Sequence, residues 1–179
     1  MAPSFLDYAT LIHILHGEML FLRPMEKPSL NNHFLAEHVA LLGDSYHRLL
    51  GHPLITGICG SQEFAESLFH ASFAVVSHDT EGDPVFNYAN AQALTLFEMN
   101  WDEFTRTPSR LSAEPVNRQE RSRLLKKVTE QGYIDHYQGV RISSTGTRFM
   151  IENAVVWNLI DRHGNYKGQA ACFSDWRFL

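Results

Sequence analysis

Between Phe73 and Trp176 the chain reads as two short strands, a block of helices and three longer strands, and this unequal grouping constrains the fold more than any other feature. Phe73-Ala-Val-Val-Ser77 is a strand, Asp79-Thr-Glu-Gly82-Asp83 its turn, and Val85-Phe-Asn-Tyr88 the returning arm of a hairpin. Helical segments follow from Asn90 to Phe97 and around Trp101 to Phe104. Pro115 then opens a longer helix, since proline is tolerated in a first turn whose N–H has no intrahelical partner. Leu124, Leu125 and Val128 face inward along it, and Gly132 lies past its end. Strands from Tyr133 to Ile142, Arg148 to Ile160 and Tyr166 to Trp176 close the pattern, with Ser143-Ser-Thr-Gly146 and Asp161-Arg-His-Gly164-Asn165 as the turns. The expected class is α+β, a five-stranded antiparallel sheet with helices on one face, preceded by N-terminal helices.

Upstream, apolar residues between Tyr8 and Leu22 recur three or four apart until Pro24 stops them, and Met25-Glu-Lys-Pro-Ser29 reads as a linker. Residues 1–30 are therefore expected to be an N-terminal helix and linker, and residues 31–179 the domain. A start of translation at Met19 or Met25 would leave the first helix out of the natural product. From about Asn32 to Leu50 a clearer helical stripe runs through Phe34, Leu35, Val39, Leu42, Tyr46 and Leu49, with Asn31 or Asn32 as cap and Gly51 as terminator. A short helix from Ser61 to His70 turns Phe64, Ala65, Leu68 and Phe69 inward.

Charge and cysteine usage narrow the function classes. A formal net charge of −5 and a pI near 6.0 give no overall attraction to polyanions, so nucleic acid is not expected as a partner. No apolar run approaches the roughly 20 residues of a membrane span, and no secretory signal stands at the start, so no membrane is expected and the protein is read as cytoplasmic. The two cysteines, Cys59 and Cys172, have no paired spacing and read as free thiols. The ten histidines are scattered, with only His13 and His16 at helical spacing, and no metal is expected. Ser77-His78-Asp79 has the letters of a nucleophilic relay, yet adjacent strand residues point to opposite faces. No catalytic residue is assigned, and enzyme function is not expected.

Three local patterns resemble PAS domains: Asp79-x-x-Gly82 followed by Val85-Phe-Asn-Tyr-Ala-Asn-Ala91; Leu96-Phe97 followed by Trp101-Asp-Glu-Phe104; and Asp161-x-x-Gly164-x-x-x-Gly168. More specific strings resemble the MEKHLA family, a PAS-like group occurring in plant class III homeodomain leucine-zipper proteins and as free-standing bacterial and algal proteins. These are Phe86-Asn-Tyr-Ala-Asn90, Trp101, Pro108-Ser-Arg110, Ser112-Ala-Glu-Pro115, Arg118-Gln-Glu-Arg121 and Trp157-Asn158, within a likeness running from about Asn32 to Trp176. The free-standing type is the expectation. The resemblance implies sensing or protein interaction: binding a small molecule or a protein partner and signalling by altered association, with itself or with a signalling protein. The alternative is a small-molecule enzyme or carrier using the space between sheet and helices.

A candidate ligand pocket follows from that implied scaffold. Period-two alternation from Arg148 puts Phe149, Ile151, Asn153, Val155, Trp157 and Leu159 on one face, expected toward the helices, with the Asn153 amide needing partners there. Trp101, Tyr137 and Trp157 could stack on a planar group or form plain core. Asn90 and His136 complete the lining, and Arg110 is the best single candidate for binding a carboxylate or phosphate. Seven basic residues against two acids between Arg106 and Lys127 form either a solvated helix face or an anion or partner-protein patch. The cofactor is unassigned. The PAS resemblance implies a reactive cysteine in the helical segment for flavin photochemistry, and none lies between Cys59 and Cys172; it implies a histidine of the long helix for haem, and with none in Pro115 to Gln131 a haem would need His136 or His78.

Overall fold

A computed structural model describes residues 26–179, so the helix expected between Tyr8 and Leu22 lies outside the described residues. The hairpin forms as β1 (Ala74–His78) and β2 (Phe86–Ala89), followed by α3 (Ala91–Phe97), α4 (Trp101–Phe104) and α5 (Pro115–Gln131). Strands β3 (Tyr133–Ile142), β4 (Arg148–Ile160) and β5 (Tyr166–Phe173) follow, and a break at Ser174 separates β5 from a short β6 (Asp175–Phe178). Upstream lie α1 (Ala36–Leu50) and α2 (Gln62–Phe69). The sheet runs β2-β1-β5-β4-β3, antiparallel throughout, with β6 continuing beside β4 where β5 stops.

Local chemistry accounts for most element ends. Ser61 accepts a bond from Phe64 N–H and starts α2, as its sequence suggests. Gly132 stops α5 at φ +93, a conformation in which glycine has no Cβ penalty. The start of α1 differs from expectation. His33, Phe34 and Leu35 take left-handed φ of 51, 52 and 56, so the expected helix from Asn32 becomes a 3-10 turn over Leu30–Leu35, and the α-helix begins at Ala36. Asn32 accepts from Ser29 N–H at 2.9 Å instead of capping α1, and Phe34 is buried against Phe69.

Asn90 ties the hairpin to what surrounds it. Its fully buried side chain accepts from Val75 N–H at 3.0 Å and, as the cap of α3, from Ala93 N–H at 3.1 Å. Its amide nitrogen donates to the Phe73 carbonyl at 2.7 Å. One side chain thus satisfies backbone groups of a strand, a helix start and a loop that would otherwise be buried unpaired.

Helices occupy both faces of the sheet. On β1, Ser77 Oγ accepts from His38 Nε2 of α1 at 2.9 Å, whereas the next residue, His78, points to the α5 side. On β4, Trp157 donates its indole N–H to Leu42 O of α1 at 3.3 Å and meets Tyr46 edge-on, whereas Asn158 donates to Val128 O of α5 at 3.0 Å. Adjacent strand residues face opposite ways, so α1 covers one face, and the block α3 to α5, gathered on a single face as expected, covers the other.

The β4 alternation expected to put Phe149, Ile151, Asn153, Val155, Trp157 and Leu159 together is corrected by a bulge. Asn153 sits at φ 51, and the β3–β4 register shifts on either side of Tyr137, with His136 of β3 also at φ 51. Each extra residue exchanges inside for outside along its strand. Phe149 therefore packs on Phe97 of α3 at 5.3 Å, while Trp157 lies under α1 on the other face. Next to β4, the break at Ser174 does the same for β5 and β6: Phe173 and Trp176, three residues apart and so on opposite faces of an unbroken strand, meet at 6.2 Å.

Candidate functional site

Beneath α5 the sheet leaves a cavity of about 50 Å³, lined by His78, Phe86, Phe97, Ser112, Arg121, Leu124, Tyr137, Arg141, Ile151, Gln169 and Phe173 among others. At roughly 10–15 Å³ per enclosed water it has room for about four waters. Its polar groups come from β1, β3, β5, α5 and the 3-10 turn Ser109–Ser112, and each is placed by an identifiable local cause.

Arg121 lies three and seven residues before Leu124 and Val128, hence on the same inward stripe of α5, and it is 9% exposed. Its Nη2 donates to Ser109 Oγ at 3.1 Å, and Ser112 Oγ holds the Ser109 carbonyl at 2.8 Å. Arg141, 8% exposed on β3, donates to Tyr137 Oη at 3.2 Å and to Val140 O, and its guanidinium lies 5.4 Å from the centre of the Tyr137 ring. Gly139 makes that contact possible, because a Cβ there would sit 2.2 Å from Tyr137 Oη. Among the described residues no carboxylate stands within ion-pair distance of Arg121 or Arg141. Burial, reinforced by the positive charge of Arg141, pulls the Arg121 pKa down to about 10.

His78 is 7% exposed. Its Nδ1–H donates to Asp79 O at 2.8 Å, which leaves Nε2 an acceptor, and that atom is buried with no hydrogen-bond partner. Burial lowers the His78 pKa and Arg121 lowers it further, against the opposing pulls of the Asp79 carbonyl and carboxylate and of the Gln169 side chain. Gln169 faces the same cavity but is spent on structure: its amide nitrogen donates to Leu125 O, Thr129 Oγ1 and Asn158 Oδ1, fastening α5 to the sheet.

The nine residues proposed from sequence are dispersed. Tyr137 and Ile151 line the cavity, and Phe149 packs beside it on Phe97. Trp157 is on the opposite face, under α1. Asn90 is structural, all its capacity committed to backbone. Trp101 is buried at the start of α4, edge-on to Tyr88. Arg110 is paired with Asp83 at 2.9 and 3.0 Å at the surface, so its carboxylate partner is in its own chain. His136 and Asn153 are exposed bulge residues, the latter donating to Asp175. The residues the pocket proposal missed are Arg121, Arg141 and the free nitrogen of His78. Arg121 carried a visible signal, a cation on the apolar stripe of its helix.

The donor set and volume do not fit a flavin or a haem. Drug-sized pockets span roughly 300–1,000 Å³, far above this cavity. No thiol lines it: Cys172 pairs with Val75 and Val155 on the α1 face, and Cys59 is exposed. Among the described residues no three of His, Cys, Asp and Glu gather as metal ligands, and no helix is long and apolar enough to cross a membrane.

Comparison with known proteins agrees with this architecture. The MEKHLA domain profile matches residues 36–178. The homeobox-leucine zipper protein HOX10 of Oryza sativa subsp. japonica is 28% identical over 137 residues, 75% of this chain and 16% of that protein. ATHB-9 of Arabidopsis thaliana is 25% identical over 123 residues, 68% of this chain and 15% of that protein. The chain thus spans about a sixth of the length of these relatives. Among solved structures, the PAS domain of a Colwellia psychrerythraea protein superposes with a TM-score of 0.56 at 15% identity, covering 66% of this chain and 95% of that one. A light-oxygen-voltage domain studied with a flavin analogue gives 0.52 at 18% identity, covering 65% and 84%. These likenesses show the fold.

Proposed function

The chain belongs to the MEKHLA domain family, and on that premise we propose that it is a PAS-like sensory module in which occupancy of the cavity under α5 is read out by α1 on the opposite face of the sheet. The observation that carries this reading is the division of labour between neighbouring residues. On β1, Ser77 bonds His38 of α1 while His78 lines the cavity. On β4, Trp157 bonds Leu42 of α1 while Asn158 bonds α5. A shift of either strand toward a bound molecule must pull on contacts of α1, because packed interiors transmit displacement. The output is altered association, with a signalling protein or a second copy of the chain, and the unit is residues 31–179.

The test needs no ligand. Ala171 lines the cavity from β5, and Ala171→Val places two further carbons in it. Hydrogen exchange should change by at least about twofold in residues 36–50, with protection in α5 shifting as well. A variant that alters exchange only in α5 and the sheet would refute the relay to α1. Light scattering across concentration on both proteins reads the association step, and an identical, concentration-independent monomer mass in both would remove self-association as the output.

A further inference from the structure

Resting on the reading of the cavity as a ligand site, we infer that its occupant is a short-chain 2-hydroxy monocarboxylate, its carboxylate held by Arg121 with Arg141 beside it and its hydroxyl donated to His78 Nε2. Two buried guanidiniums with no carboxylate partner among the described residues are a costly arrangement for a folded protein, and an anion of the right shape removes the cost. The planar fork of arginine matches a carboxylate edge, and Arg121 has only Nη2 engaged, by the Ser109 hydroxyl. Arg141 is already served by Tyr137 Oη, the Tyr137 ring and the Val140 carbonyl, so one negative charge meets the remaining demand.

The other walls decide against an inorganic anion. Phe86, Phe97, Phe173 and Ile151 give the cavity an apolar side, where phosphate or chloride would lose hydration without replacement and a short alkyl group is at home. Size limits the molecule to about six heavy atoms, comparable with the few waters the space would hold. His78 supplies the final discrimination. With Nδ1–H committed to Asp79 O, its buried Nε2 can only accept, and a second carboxylate oxygen would leave it unsatisfied. A hydroxyl beside the carboxylate satisfies it.

Titration calorimetry of the full chain with sodium lactate, sodium propionate, sodium phosphate and sodium chloride tests the assignment. Lactate should bind about fivefold or more tighter than propionate, and phosphate and chloride should not saturate. Arg121→Met should lose about tenfold or more for both carboxylates, whereas His78→Phe should erase the preference for lactate while retaining propionate. Circular dichroism on each variant establishes that it is folded. The inference is overturned if neither carboxylate binds, if phosphate or chloride competes equally, if lactate and propionate are indistinguishable, or if folded Arg121→Met binds as the wild type does. Should lactate fail while Ala171→Val still alters exchange in α1, the sensory reading stands and only the occupant is wrong.

Discussion

Arg121→Met should make the ligand-free protein more stable, although it removes a hydrogen-bonding residue from the heart of the domain. Arg121 is 9% exposed, and burial together with Arg141 takes its pKa from 12.5 to about 10. At about 1.4 kcal/mol per pKa unit, the charged form is disfavoured in the fold by about 3 kcal/mol. Methionine fills similar volume without charge and forfeits the charge-assisted bond to Ser109 Oγ, worth about 2 kcal/mol. The net expectation is a gain of about 1 kcal/mol. For a domain of this size that raises the melting temperature by about 2–4 °C, and it moves the urea midpoint upward with an unchanged slope. The sign with pH follows from the depressed folded value. The penalty is complete wherever the arginine is charged in both states, so the gain should be flat from about pH 5 to 9, shrinking only as the folded form loses its proton above about 10. Arg121→Lys keeps a charge in the cavity and should bring no such gain. Urea melts at pH 7 on wild type and both variants decide the matter. A destabilised or unchanged Arg121→Met would show that the guanidinium is not an uncompensated buried charge, and the anion-site argument would lose its energetic basis.

Asn90→Ala removes the α3 cap and strands the buried Val75 N–H and Phe73 carbonyl. With about 1 kcal/mol for the cap and about 1–3 for each orphaned group, the loss should be about 3 kcal/mol or more by urea denaturation, and a loss under about 1 would contradict its structural assignment. His38 stacks on Tyr88, and burial takes its pKa from 6.5 to about 4. A folded pKa below the unfolded one means that the unfolded chain takes the proton first. Stability should therefore fall as pH drops from about 6.5 toward 4, by at most about 1.4 kcal/mol per pH unit from this residue, and melting profiles of His38→Gln should have a shallower acid limb in that window. An unchanged slope would clear His38 of the effect, leaving it to His78, whose pKa is also lowered.

The order of elements was legible because it is written in local chemistry. Proline and glycine bracket α5, Ser61 caps α2, and the turns between β3, β4 and β5 carry glycine and aspartate where the chain reverses. The site was less legible. A period-two reading of β4 assumes an uninterrupted pleat, and nothing so emphatic as a glycine marks Asn153, although asparagine tolerates left-handed backbone better than most residues. That single residue misplaces Trp157 relative to Phe149. Arg121 could be found from its spacing to Leu124 and Val128, but its membership of a basic run favoured a surface reading. Whether Arg110 or Arg121 would find an acid depended on long-range placement: Asp83 reaches the former through the β1–β2 turn, and among the described residues no carboxylate reaches the latter.

The extra residues at His136 and Asn153 belong to paired strands and cancel, so the ladder beyond them returns to its original register. Deleting either alone would slide the β3–β4 hairpin by one position and turn Arg141 or Ile151 out of the cavity. Deleting both would restore the pairing yet hand the lining residues to the wrong side. For a lineage carrying this fold the two positions are therefore locked by epistasis. Insertions and deletions should be filtered from the middle of these strands and should accumulate instead in the Ser143–Thr147 turn, where length can change without exchanging the two faces of the sheet.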